Sequence, residues 1–192
     1  SGYGRVFGTV MAARQLALDF EHREALGLDD FLVVPGNSDA VTWLDQWPDW
    51  PNHALGIYGP AGCGKTHLVH VWQAASSGLI VSAGDLKVGG VPELVDAAGH
   101  PPMIALEGAD QGVDETALFH LYNMIVEAGG SLLLTGRGAP ARWPVTLPDL
   151  VSRLSAVPAV AVEMPDDDLF AALVVKLLAD RQLRVGAEVV SY

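Results

Sequence analysis

The chain contains a single cysteine, Cys63, so no disulfide can form within it. That scarcity excludes a disulfide-stapled secreted scaffold and suits a reducing, cytoplasmic setting. Positive charge is also thin. Only 11 Lys and Arg stand against 23 Asp and Glu, a formal net charge of −12. No run of Lys or Arg concentrates what there is. Direct binding to nucleic acid as the main activity is therefore disfavoured, because it needs a concentrated basic surface. DNA is expected to be met only indirectly, and the chain's field favours basic or neutral protein surfaces. Long apolar runs are missing as well. None reaches the roughly 18 to 20 residues of a membrane helix. The start lacks the leucine-rich stretch and small-residue cleavage site of a signal peptide. Internal repeats and low-complexity segments are absent.

What is present is ample for a core. Half of the 192 residues are hydrophobic, enough for one domain, or one domain and part of a second. The most informative stretch is Gly59-Pro60-Ala61-Gly62-Cys63-Gly64-Lys65-Thr66. It fits G-x-x-x-x-G-K-[ST], the phosphate-binding loop of nucleoside triphosphate enzymes. The glycines let successive backbone N–H groups turn inward toward phosphate oxygens. Lys65 brings a compact positive charge to the terminal phosphates, and Thr66 offers a hydroxyl to Mg2+. Cys63, at a variable position, reads as a small filler.

Both flanks of the loop agree with the motif. Ala54 to Tyr58 is the short apolar run of a central parallel strand. Lys65 to Ala75 carries Leu68, Val69, Val71 and Trp72 at helical spacing. The start of such a helix adds partial positive charge where phosphate would lie.

Around this unit, strands and helices alternate. Strands are expected at 54–58, 78–81, 103–106, 131–135 and 158–162. Helices are expected at 92–98, 114–128 and 147–154, and one capped by Asn37 or Ser38 that stops by Trp47 before Pro48. The pattern implies an α/β fold with a five-stranded parallel sheet between helices. A further amphipathic helix begins at Asp166, and Val185 to Tyr192 opens another. Residues 1–10 show no periodicity; they read as vector residues ahead of Met11 or as a native tail. Trp43, Trp47 and Trp50 read as core and rim packing. His67 and His70 lack the Cys or acid that would complete a metal site.

A phosphate-loop enzyme needs a strand-end carboxylate to hold Mg2+ through water. Glu107 fills that place, or is a plain strand-end residue. Gly108 follows, where many ATPases put the acid that activates water. The chain is better equipped to bind nucleotide than to hydrolyse it. Thr135 ends the fourth strand, as a phosphate-sensing hydroxyl or as a simple terminator. Arg153 is either an arginine finger for a neighbour's γ-phosphate or a surface residue paired with Asp149. Gln15-Leu16-Ala17-Leu18-Asp19-Phe20 reads as a groove-docking peptide or as an edge strand.

Taken together, these residues resemble the DnaA-type branch of the AAA+ ATPases. The loop with its His67-Leu68 extension is similar to that branch. So are Phe31-Leu32-Val33-Val34 leading into Asn37, and Leu147-Pro148-Asp149-Leu150 followed by Ser152-Arg153-Leu154. Within it, the chain looks most like the Hda-type regulatory inactivators of DnaA in their α-proteobacterial form. The resemblance spans Gln15 to Tyr192. It implies a tail at 1–24, an AAA+ nucleotide-binding domain at 25–164 and the start of a helical lid at 165–192.

It also implies ADP or ATP with Mg2+ at the loop, with His67, Phe31 and Val33 nearby. Gln15, Leu16, Leu18 and Phe20 would bind the DNA polymerase sliding clamp. Arg153 would act on ATP-bound DnaA, and Thr66 and Glu107 would hold the metal. A homo-oligomer is a further option. No counterpart of the family's lid sensor arginine occurs before Tyr192, and Gly108 is a second departure. The competing reading is a DnaA-like initiator or helicase loader that acts on DNA. A small-molecule kinase would need an acceptor pocket and lid arginines that the sequence does not offer.

Overall fold

The computed structural model describes residues 33–164. The tail motif at Gln15–Phe20, Phe31, and the helices expected after Asp166 lie outside the described residues.

Five strands form one parallel sheet in the order β2-β3-β4-β1-β5. They are β1 (Ala54–Tyr58), β2 (Leu79–Ser82), β3 (Met103–Glu107), β4 (Ser131–Gly136) and β5 (Ala159–Ala161). Parallel neighbours cannot be joined by tight turns, so helices cross between them. These are α2 (Lys65–Ser76), α3 (Val91–Ala97), α4 (Glu115–Glu127) and α5 (Pro148–Ser155), while α1 (Ser38–Asp45) precedes β1.

Side-chain alternation along the strands divides the core into two layers. Leu55, Ile57, Ala105 and Leu133 pack with α1 and α2. Ala54, Ile104, Leu106, Leu132 and Leu134 pack with α3, α4 and α5. In the first layer Trp72 is fully buried, stacked on Trp50 at 5.7 Å between ring centroids and edge-on to Trp47 at 6.3 Å. Trp50 donates from Nε1 to the Trp43 carbonyl at 2.7 Å. The tryptophans thus build the core and rim, not a platform for bases.

One local expectation needs correcting. Asn37 holds the N-cap position of α1, but its side chain does not cap the helix. Its Oδ1 accepts instead from the Val34 backbone N–H at 2.8 Å, and Ser38 Oγ donates back to the Pro35 carbonyl at 3.2 Å. The tight entry turn takes both polar groups before the helix can. Asp114 does cap α4, accepting from Ala117 N–H at 3.0 Å.

The start of α5 is held by Glu115, in the first turn of α4. Its carboxylate accepts from the Leu147 N–H at 2.7 Å, and from the Thr146 N–H at 2.9 Å and hydroxyl at 3.2 Å. The Leu147 bond leads in holding this carboxyl below its ordinary pKa, with the Thr146 bonds assisting. A depressed carboxyl pKa contributes stability above the ordinary carboxylate range, and that contribution is lost as pH falls through the folded value. Glu115→Gln should therefore be less stable than the wild type at neutral pH. The gap should close as pH falls below about 4, read by urea unfolding across pH. A gap independent of pH would refute the assignment.

Candidate functional site

The strand order sets where a site can form. β1 ends beside β4, yet the chain leaves β1 for β2 at the far edge. Such a reversal opens a crevice at the carboxyl ends of the strands. A cavity of about 550 Å3 lies there. Its walls are Ala61 and Gly62 from the loop after β1, Lys65 and Thr66 from the start of α2, Ser82 at the end of β2 and Gly84 just past it. Glu107, Gly108 and Gln111 come from the end of β3, and Thr135, Gly136 and Arg137 from β4.

The loop's shape follows from its glycines. Gly59 is squeezed: a Cβ there would run into the Val162 carbonyl oxygen, and its N–H donates to the Gly136 carbonyl at 3.2 Å. Gly62 and Gly64 have φ of +81° and +100°, a region that favours glycine, and open space surrounds each missing Cβ. They form a bare concave backbone that opens directly into α2, where the N-terminal turn has N–H groups to offer an anion. Cys63 turns its sulfur into the core and is buried.

Lys65 Nζ donates to the carbonyls of Gly59 and Pro60, each at 2.8 Å. Thr66 Oγ1 donates to Glu107 Oε1 at 2.7 Å. A hydroxyl and a carboxylate brought together at the cavity floor are oxygen donors that suit a hard cation, which takes one or two carboxylates and completes its shell with water and phosphate. The residues present therefore fit a nucleotide polyphosphate with Mg2+. The loop would hold the phosphates, and Thr66 and Glu107 would hold the ion.

Thr135 is buried, and its Oγ1 accepts from the Gly108 N–H at 3.3 Å. Gly108 itself has φ of +70°, so the position after Glu107 is a turn and carries no acid. His67 lies on α2 outside the cavity wall; partial burial of its ring, with His70 assisting, holds its pKa below the ordinary value. Val33 packs against the α1–α2 core layer and does not reach the wall.

Arg153 is elsewhere. It is exposed in the last turn of α5, its guanidinium 5.6 Å from the centroid of the Tyr122 ring. Among the described residues no ion pair joins it to Asp149. Tyr122 is buried on α4 and donates its hydroxyl to the Asn52 carbonyl at 3.1 Å. Burial pushes its phenol pKa up, and Arg153 opposes that rise. Asn52 in turn donates to the Ala156 carbonyl at 3.0 Å, just past α5. Sequence reasoning passed over Gln111, Arg137, Ser82 and Gly84. Their one signal was position, each lying at or just past the carboxyl end of a strand.

This is an α/β, P-loop NTPase-like fold, a five-stranded parallel sheet between helices that matches the fold of the DnaA AAA+ domain. No family model matches the chain. A DNA replication initiation factor is similar with a TM-score of 0.68 at 20% identity, over 84% of this chain and 56% of that one. The replication initiator DnaA bound to AMPPCP and single-stranded DNA is similar with a TM-score of 0.68 at 20% identity, over 90% of this chain and 60% of that one. Domain III of Thermotoga maritima DnaA matches with a TM-score of 0.66 at 20% identity, over 84% of this chain and 77% of that one. The chain thus spans less than two thirds of the two longer proteins. No helix among the described residues is long and apolar enough to cross a membrane.

Proposed function

We propose that this protein is a nucleotide-bound AAA+ adaptor that regulates initiation of chromosome replication. It docks on the DNA polymerase sliding clamp through Gln15, Leu16, Leu18 and Phe20, and stimulates ATP hydrolysis by DnaA through Arg153. The observation that supports this most is the position of Arg153. It is exposed, backed by an aromatic ring, and outside the chain's own cavity, as a group meant for a partner's phosphate would be.

On this reading Lys65 and the loop backbone grip ADP or ATP, and Thr66 with Glu107 hold Mg2+. The nucleotide supplies charge that fixes the shape of the module. Gly108 provides no base for water, so the chain's own hydrolysis is weak or absent. Thr135 sits where a hydroxyl can register the terminal phosphate. Arg153 presents a planar fork of donors to the equatorial oxygens of a phosphoryl group in the partner, where it stabilises charge that develops on transfer.

The deciding test is DnaA ATPase activity with clamp loaded on DNA, with and without this protein. Absence of stimulation would sink the regulatory reading. For the tail, the double variant Gln15→Ala, Phe20→Ala should lose clamp binding in a pull-down or by surface plasmon resonance, with nucleotide binding retained. Undiminished clamp binding would remove the tail from the account.

The alternative is a DnaA-like initiator or helicase loader that works on DNA. It draws on the similar DnaA structure that holds single-stranded DNA. The net charge of −12 weighs against it. Tight, salt-dependent DNA binding by the protein alone, with hydrolysis of its own ATP, would favour it.

A further inference from the structure

An exposed arginine is ordinarily free to sample rotamers or tied down by a carboxylate. Arg153 is held differently. Among the described residues its guanidinium makes no ion pair, yet it lies over the Tyr122 ring, 5.6 Å from the centroid. A carboxylate partner would cancel the charge and take N–H donors. A ring face attracts the cation through its quadrupole and uses none of the five donors. The ring is itself fixed. Tyr122 is buried on α4, and its hydroxyl donates to the Asn52 carbonyl at 3.1 Å. Asn52 also donates from its amide to the carbonyl of Ala156, the C-cap of α5, at 3.0 Å. One residue thus ties the α4 ring to the end of the helix that carries Arg153. It does so from an unfavoured backbone, since Asn52 and His53 have φ of +54° and +60°. Such residues persist only where their surroundings over-determine them. The two Asn52 bonds do this, together with His53 Nδ1, which lies 2.9 Å from the Gly130 carbonyl.

We infer that Tyr122 is a positioning residue for Arg153: its ring face orders the guanidinium before a partner arrives, and Asn52 braces ring and helix end together. The inference rests on the reading of Arg153 as the group that acts on a partner's phosphate. Ordering a long side chain costs conformational entropy at the moment of engagement. A contact already made in the free protein removes part of that cost. Because the contact is through the ring face, the charge and the planar fork remain available for the phosphoryl oxygens. Tyr122 touches no nucleotide; it acts through Arg153 alone.

The test is single-turnover ATP hydrolysis by DnaA, with clamp on DNA and increasing amounts of the full chain, for wild type, Tyr122→Leu, Tyr122→Phe and Arg153→Ala. A cation–π contact corresponds to about twofold to thirtyfold in a rate that depends on it. Tyr122→Leu should lower the maximal stimulated rate by such a factor. Its half-saturating concentration and nucleotide affinity should stay within about threefold of wild type, because no binding surface is touched. Tyr122→Phe keeps the ring and should recover most of the rate. Relaxation of the Arg153 Nε nucleus gives a readout free of DnaA: wild type and Tyr122→Phe should show a restrained side chain, with an order parameter above about 0.6. A lower wild-type value would overturn the inference even if Tyr122→Leu did not fold. So would an unchanged maximal rate in Tyr122→Leu, a parallel loss of its nucleotide affinity, or equal rate losses in Tyr122→Leu and Tyr122→Phe. Undiminished stimulation by Arg153→Ala would instead overturn the reading of Arg153 itself, and this inference with it.

Discussion

Arg153→Ala should reduce DnaA's ATPase to its unstimulated rate while leaving nucleotide and clamp binding unchanged. The side chain is exposed, and α5 is anchored by other groups. Leu150 and Leu154 bury its apolar face, and Glu115 holds its entry. Truncation at Arg153 opens no cavity and leaves no buried polar group unpaired, so the helix should stay in place. What is lost is the fork of donors presented to the partner. An arginine finger supplied in trans is worth about 10^3 to 10^5 in rate, so the effect should be close to complete. Arg153→Lys should rescue poorly, because an ammonium is a point charge without the bidentate geometry. Single-turnover hydrolysis of ATP by DnaA, with clamp on DNA, reads the effect. Stimulation that survives in Arg153→Ala would move the finger elsewhere or discard the regulatory reading.

The parts of this molecule legible in the sequence are those governed by burial. Leu132, Leu133 and Leu134 form a continuous apolar run because β4 is covered on both faces, and such a run announces a central strand. Met103 to Leu106 was expected as a strand for the same reason; the structure extends it by one residue, to Glu107. The loop was legible because its motif fixes local geometry.

What escaped were contacts made across long separations by polar groups. Tyr122 is buried as one more core position of α4. Its hydroxyl bond to Asn52 and its ring contact with Arg153 depend on where two distant segments end up. Arg137 followed a strand end like any turn residue. It joins the cavity only because β4 is inserted beside β1, an order that periodicity does not encode. Asn37 shows the same limit at short range: the residue type suited a cap, but the entry turn had first claim on it.

Lys65→Ala should weaken nucleotide binding by about a hundredfold, the largest effect expected on affinity. Lys65 Nζ is already gathered over the loop by two carbonyl bonds of 2.8 Å. On binding, those bonds can be exchanged for bonds to phosphate oxygens with little movement of the side chain. Each charge-assisted bond contributes about 1.5–3 kcal/mol. Losing one or two, with about 1.4 kcal/mol per factor of ten, gives the hundredfold expectation.

The unliganded fold should barely notice the substitution, since Gly59 is fixed by its own close packing and its N–H bond to Gly136. A thermal-shift assay separates the two effects. Nucleotide at a hundredfold excess over Kd should stabilise the wild type by about 2.7 kcal/mol. The variant should melt near the wild-type temperature without nucleotide and show almost no shift with it. An equal shift in both proteins would mean that the nucleotide binds elsewhere. The same variant then probes what the loop is for. If bound nucleotide sets the shape that presents Arg153, Lys65→Ala should also lose DnaA stimulation although its finger is intact. If stimulation persists without nucleotide, the loop is not the switch and Arg153 acts from a shape the fold holds unaided.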